Sequence, residues 1–274
     1  MLDFKIKAKM FPKIMGIINF TPDSFSDGNK YATVSEAVRT AKKMIADGAD
    51  IIDVGGESTR PGASPVSAAE ELKRVLPIIE KIREEVPEAV ISVDTYKAEV
   101  AAKALRSGAN IINDISGFRF DSAIADVAAE FDCPLVIMHS VGTPADMQEH
   151  TDYSEITSDV LTFLRQKIKF AREKGVNHII ADVGIGFGKT MQQNFELLRH
   201  HEIFSTLGVP MLLGISRKRF IGEFCGVDLP QERDAETALL TSLLLQKGID
   251  IIRVHNVSLH AKLRKLYVEL NNQQ

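Results

Sequence analysis

Apolar residues in this chain fall in short runs that alternate with longer periodic stretches, and one local unit recurs. In Gly48-Ala49-Asp50-Ile51-Ile52-Asp53-Val54-Gly55-Gly56 a glycine and a short connection lead into an aliphatic run that gives way to a polar loop. Gly108-Ala109-Asn110-Ile111-Ile112-Asn113-Asp114 and Gly248-Ile249-Asp250-Ile251-Ile252-Arg253-Val254-His255 repeat the form. Gly175-Val176-Asn177-His178-Ile179-Ile180-Ala181-Asp182 is a looser copy. The glycine suits a helix C-terminus, and the β-branched run suits a strand covered on both faces. Further runs over Ile14–Asn19, Val90–Asp94, Pro134–His139 and Met211–Ser216 predict the remaining strands.

Helical periodicity occupies the intervals. The spacing predicts helices over Val34–Asp47, Ser67–Glu85, Lys97–Ser107, Ser122–Phe131, Ser154–Lys174, Met191–Thr206, Asp234–Lys247 and Ser258–Leu270, with apolar sets such as Leu161, Leu164 and Ile168. Alternating βα units imply an α/β fold with a parallel sheet and right-handed crossovers. Eight such units without a break in composition favour a single (β/α)8 TIM barrel, one domain over residues 1–274. An open doubly wound sheet is the alternative, because sequence does not display closure.

Composition narrows the partners. The 274 residues are 45% hydrophobic and 26% charged, with a formal net charge of −4, as in ordinary globular proteins. Without basic runs there is no electrostatic footprint for nucleic acid. No stretch approaches the roughly 18 apolar residues of a membrane span, and Ile14–Phe20 is too short for a signal core. Cys133 and Cys225 lie far apart and read as reduced thiols, Cys133 in a core. A cytoplasmic location follows as the expectation.

In such a barrel the C-terminal strand ends converge on one face, where active sites are built. The exits read Asn19, Asp53, Asp94, Asn113 with Asp114, His139, Asp182, Ser216 leading to Lys218, and Arg253 with His255. Any one of these residues suits a helix cap or a loop turn. Polar residues at every exit argue instead for a converging site. Asp94, Asn113 and Asp182 offer acceptors for a heterocycle rich in N–H groups, such as a pterin. Lys218, Arg253 and His255 are donors suited to phosphate. Asn19 offers an oxygen for Mg²⁺, which often bridges one or two protein oxygens to substrate phosphates. Gly184-Ile185-Gly186-Phe187-Gly188-Lys189-Thr190 imitates a phosphate loop, but the Walker pattern needs glycine where Val183 stands. It reads as a strand-exit loop.

These residues carry a family resemblance. Met15-Gly16-Ile17-Ile18-Asn19, Thr21-Pro22-Asp23-Ser24-Phe25-Ser26-Asp27-Gly28, Gly55-Gly56-Glu57-Ser58-Thr59-Arg60-Pro61-Gly62 and Ser92-Val93-Asp94-Thr95 stand in order. Ile112-Asn113-Asp114-Ile115-Ser116-Gly117, Gly184-Ile185-Gly186-Phe187-Gly188-Lys189, Ser216-Arg217-Lys218 and Arg253-Val254-His255 follow them. Over nearly its whole length the chain resembles the bacterial dihydropteroate synthases of folate biosynthesis. The resemblance implies a transferase in which 4-aminobenzoate displaces pyrophosphate from 6-hydroxymethyl-7,8-dihydropterin diphosphate, giving 7,8-dihydropteroate. It implies that Asp94, Asn113, Asp182 and Lys218 hold the pterin with Phe187 against the ring. Thr59, Arg253 and His255 would bind the diphosphate, with Asn19 on Mg²⁺. Phe25, Asp27, Arg60 and Pro61 would close over the site, and Ser216 would border the aminobenzoate pocket. Asp94, Lys218, Arg253 and His255 would carry the catalysis. A homodimer and competition by sulfonamides, which mimic 4-aminobenzoate, are further implications.

The chain departs from the family pattern at Val183, where proline is usual, at Asn256, where aspartate is common, and at Ser140-Val141 after His139. None removes a ligand that the resemblance implies. A pterin-binding methyltransferase of the same superfamily and a catalytically silent pterin-binding paralogue are the alternatives. The intact Thr59-Arg60-Pro61 loop and the Lys218-to-His255 anion set argue for the synthase.

Overall fold

A computed structural model describes residues 11–21, 33–58, 63–143 and 146–271. Eight parallel strands close into a barrel: β1 (Lys13–Asn19), β2 (Ile51–Gly55), β3 (Ile91–Asp94), β4 (Ile111–Asp114), β5 (Leu135–Met138), β6 (Ile179–Asp182), β7 (Met211–Leu213) and β8 (Ile251–Val254). Closure is direct, since β1 pairs with β2 and also with β8, in the register Lys13↔Ile251 through Gly16↔Val254. That excludes the open sheet. The helices are α1 (Val34–Asp47), α2 (Ala68–Glu85), α3 (Ala98–Arg106), α4 (Ile124–Glu130), α5 (Ile156–Glu173), α6 (Met191–Arg199), α7 (Arg219–Cys225), α8 (Asp234–Leu244) and α9 (Val257–Asn271).

Local chemistry sets the boundaries. Thr33 caps α1 through a reciprocal pair with Glu36, and Gly48 at φ 110° ends it. Three elements differ from the sequence expectation. The strand predicted over Met211–Ser216 stops at Leu213, because the chain turns through Gly214–Lys218 with Arg217 at φ 59°. The short helix α7 follows that turn, and at seven residues it is too brief to show two turns of periodicity. The helix predicted over Met191–Thr206 ends at Arg199, and a 3₁₀ segment continues over His201–Leu207.

Alternate strand residues face the helices or the lumen. Ile14, Ile18, Ile52, Val54, Ile112 and Ile252 pack outward against the helix layer, in a core that also takes in Cys133. Inside, Met15, Ile51, Ile111, Val136, Ile180, Leu212 and Ile251 form a separate aliphatic cluster. The recurring unit of the sequence is thereby explained. Its copies are the even-numbered strands, and in each the inward isoleucine is followed two residues later by an inward polar residue: Asp53, Asn113, Asp182 and Arg253. Alternate strands of a (β/α)8 barrel supply one layer of the lumen together.

Candidate active site

Asn19, Asp94, Asn113, Asp182, Phe187, Ser216, Lys218, Arg253 and His255 line a single cleft of about 770 Å³ above that polar layer. Thr59, Arg60, Pro61, Phe25 and Asp27 lie outside the described residues. Asp94 comes to the cleft at the end of β3, beside Gly55 on one neighbour and Asn113 on the other. Asp182 ends β6, and Arg253 and His255 come from the end of β8.

Arg253 is the hub. Its Nε donates to Asp53 Oδ2 at 2.6 Å and its Nη2 to Asp94 Oδ2 at 2.5 Å. Asp53 Oδ2 also accepts from Asn113 Nδ2 at 3.2 Å. Asp53 is fully buried and does not line the cleft, so it supports the site from beneath. Burial works against charge on Arg253, but the two carboxylates more than offset it and raise its pKa. Asp94 goes the other way. Burial pushes its carboxyl up to about 7, opposed by Arg253 and reinforced by the nearby Asp53.

Asp182 stands apart from this triad. Its Oδ1 accepts from Gly184 N–H at 2.8 Å, and burial raises its pKa against the pull of that bond and of Lys218. Lys218 Nζ lies 4.1 Å from the centroid of the Phe187 ring, a cation–π contact. Burial, then the charge on Arg253, lowers Lys218 to about 8. Phe187 joins Ile115, Met138 and Met147 in a small apolar cluster on the cleft wall. Flat apolar surface next to buried carboxylates suits an aromatic ring with N–H groups on its edge. Across the cleft, Ser216 Oγ and His255 Nδ1 are 2.9 Å apart, and Ser216 Oγ also accepts from His255 N–H at 3.1 Å.

Asn19 is the residue that the family resemblance implies as a metal ligand. Among the described residues no group of three His, Cys, Asp or Glu side chains could hold an ion. A Cβ placed on Gly55 would lie 3.5 Å from Asn19 Oδ1 and 3.4 Å from Asp94 Cβ, so that amide oxygen borders Asp94 at the cleft. One amide oxygen suits Mg²⁺, which completes its shell with water and substrate phosphates.

Sequence reasoning placed His139 at a strand exit and Lys189 in a loop, but it did not pair them, and it did not single out Met147. Lys189 and His139 pair inside the loop wall at 2.9 Å, and Met147 reaches the cleft from a 3₁₀ turn. The departures from the family pattern have local roles. Asn256 Oδ1 accepts from Leu259 N–H, capping α9, while its Nδ2 donates to Asp234 at 3.0 Å. Val141 packs on Gly188, where a Cβ would fall 2.1 Å from its Cγ2. Val183 is fully buried.

A closed parallel barrel with buried carboxylates, a cation over an aromatic ring and an amide oxygen at its C-terminal mouth defines a class: a barrel enzyme for a nitrogen-rich ring bearing an anionic group. The chain belongs to the pterin-binding enzymes, whose family pattern matches residues 15–255, and among them to the dihydropteroate synthases. It is 50% identical over 256 residues to the dihydropteroate synthase of Bacillus subtilis, covering 92% of this chain and 86% of the relative. The Xanthomonas albilineans dihydropteroate synthase with 4-aminobenzoic acid superposes with a TM-score of 0.89 at 38% identity, over 96% of this chain and 94% of that one. The same enzyme in complex with 7,8-dihydropteroate gives 0.86 at 36%, over 96% and 95%. No helix among the described residues is long and apolar enough to cross a membrane.

Proposed function

We propose that this protein is a dihydropteroate synthase, a transferase that joins 4-aminobenzoate to 6-hydroxymethyl-7,8-dihydropterin diphosphate with release of pyrophosphate. The observation that carries the reading is the convergence of Asp94, Asn113, Asp182, Lys218 and Phe187 in the same cleft as Ser216, Arg253 and His255. Asp94, Asn113 and Asp182 accept from the N–H edge of the pterin, and Lys218 and Phe187 flank the ring. Arg253 and His255 face the diphosphate with Thr59, and Ser216 borders the aminobenzoate. Phe25, Asp27, Arg60 and Pro61 complete the second-substrate pocket.

The chemistry follows from charge. Leaving pyrophosphate gathers negative charge, and Arg253 and His255 are donors already fixed where it grows, so little reorganisation is needed. Two of Arg253's five N–H donors are engaged by Asp53 and Asp94, which hold its plane. The pterin methylene becomes electron-deficient as the bond to oxygen lengthens, and the buried carboxylates Asp94 and Asp182 stabilise that positive charge. Asn19 would hold Mg²⁺, which supplies further charge neutralisation on the diphosphate when bound. Exclusion of water from the cleft leaves the arylamine as the nucleophile. The protein acts in the cytoplasm as a homodimer, and sulfonamides compete with 4-aminobenzoate.

The test is direct. Incubation with the pterin diphosphate, 4-aminobenzoate and Mg²⁺ should release pyrophosphate at a rate that depends on the amine. Binding of the pterin without amine-dependent release would leave a silent pterin-binding protein, and transfer of a methyl group from methyl-tetrahydrofolate would make it a methyltransferase.

A further inference from the structure

The loop after β6 contains a buried lysine that the reaction above does not use. Lys189 is 3% exposed, and its Nζ lies 2.8 Å from Gly184 O, 2.9 Å from Phe187 O and 2.9 Å from His139 Nδ1. Burial lowers Lys189 to about 7 against the pull of Asp182, and in its protonated form the three N–H donors all meet neutral acceptors. Burial, followed by the charge of Lys189, pushes His139 down to about 2, so its imidazole is neutral and accepts through Nδ1. That ring is itself held edge-on by Phe163, with centroids 4.8 Å apart. The polar exit of β5 is thus a seat for Lys189, not a proton donor.

Both carbonyls that Lys189 holds belong to one turn, closed by Phe187 N–H donating to Gly184 O at 3.1 Å. Each end of the turn carries a group of the site. Gly184 N–H fixes Asp182 Oδ1, and the Phe187 ring lies under Lys218. Gly184 has φ 68°, and a Cβ there would fall 1.8 Å from His139 O, so the turn is pressed directly on β5. Other ties hold the middle of the turn and the residue after it: Gly186 N–H donates to Asn194 Oδ1 at 2.7 Å, Gln148 Nε2 to Gly186 O at 3.2 Å, and Tyr153 Oη to Gly188 O at 2.9 Å, whereas the Gly184 and Phe187 carbonyls are held by Lys189.

Resting on the pterin reading of the cleft, we propose that Lys189, seated on His139, is a positioning residue for the pterin slot. It pins the Gly184–Phe187 turn and so fixes the Asp182 carboxylate relative to the Phe187 ring. Ser216 and His255, on the other side of the cleft, do not depend on it.

The experiment uses full-length protein, with 6-hydroxymethylpterin as an equilibrium binding probe and KM for 4-aminobenzoate measured at saturating pterin diphosphate. Lys189→Met should weaken probe binding about 10- to 100-fold, the range for buried acceptors losing their donor, while KM for 4-aminobenzoate stays within about twofold. His139→Leu should weaken the probe in the same direction, and His139→Asn, which keeps an acceptor near the position of Nδ1, should restore most of the affinity. General damage to the fold would affect both substrates and would not follow the acceptor at position 139. Should Lys189→Met fail to fold, the His139 pair decides: equal probe affinity in His139→Leu and wild type overturns the proposal. Wild type that binds the probe while Lys189→Met binds as tightly overturns it too. Wild type that does not bind the probe at all overturns the pterin reading, and this inference with it.

Discussion

The four even-numbered strands contribute two levels of side chains inside the barrel, one above the other. Ile51, Ile111, Ile180 and Ile251 are at most 1% exposed and form part of the dry lower ring. Two residues on, about 6.6 Å further along each strand, stand Asp53, Asn113, Asp182 and Arg253. The lower ring stabilises the fold by burying apolar area without a polar debit. The upper ring holds charge in the same enclosure, and burial pushes Asp182 and the neighbouring Asp94 toward the neutral form. Within it Asn113 and Arg253 both donate to Asp53 Oδ2, leaving Oδ1 buried without a partner, while Asp182 accepts from the Gly184 N–H. Two steps along a strand separate the part that makes the barrel stable from the part that makes it selective.

Moving charge down one ring should break this division most severely. Ile111→Asp places an unpaired carboxylate among aliphatic side chains and should cost about 3–5 kcal/mol, read as a lower urea midpoint. An unchanged midpoint would mean that water reaches the lower ring. Asp182→Ala should do the reverse: pterin affinity falls by about 100-fold or more, while stability changes by less than about 1 kcal/mol, because the lost charge was held against desolvation. Titration calorimetry and urea unfolding measure the two effects separately.

A third expectation concerns pH. Asp94, raised to about 7 by burial, must be ionised to accept from the pterin, so affinity should strengthen as pH rises through 7. Lys218, lowered to about 8 by burial, must keep its proton, so affinity should weaken above 8. Lys189, lowered to about 7 by burial, loses its proton over the range in which Asp94 ionises, so the fall above 8 set by Lys218 is the diagnostic limb, and affinity unchanged between about pH 8 and 9 would contradict its assignment. The smallest effect is expected outside the lumen. Asn256→Asp keeps the α9 cap but faces Asp234 with a second carboxylate, and should cost about 0.5–1 kcal/mol in thermal or urea unfolding without altering the pterin site.

Much of the architecture was legible because it is written in local patterns. Residues Val34–Asp47 stand as α1 with the boundaries that their periodicity and the following Gly48 imply. The repeated Gly…Ile-Ile…polar unit marked the even strands, although not that their polar residues share a layer. Partner choice was not legible. Arg253 reads as an anion donor by residue type, yet its contacts with Asp53 and Asp94 join residues 200 and 159 positions away. Asp53 reads as an exit residue, whereas it lies fully buried below the cleft. Lys189 looked like part of a loop because nothing in its spacing reveals that β5 supplies its acceptor. Side-chain type was visible in the sequence, but which groups neutralise one another depends on closure.

Closure also has a consequence in time. β1 lacks one hydrogen-bonded neighbour until β8 has been made, and the Asp53–Arg253 pair spans 200 residues. At translation rates of about 5–20 residues per second, roughly 10–40 s separate the synthesis of its two halves. Throughout that interval the emerging chain presents an open strand edge, and no substrate can lend it stability because the cleft does not yet exist. Closure of the barrel and assembly of the charged ring therefore both wait on the same strand, β8.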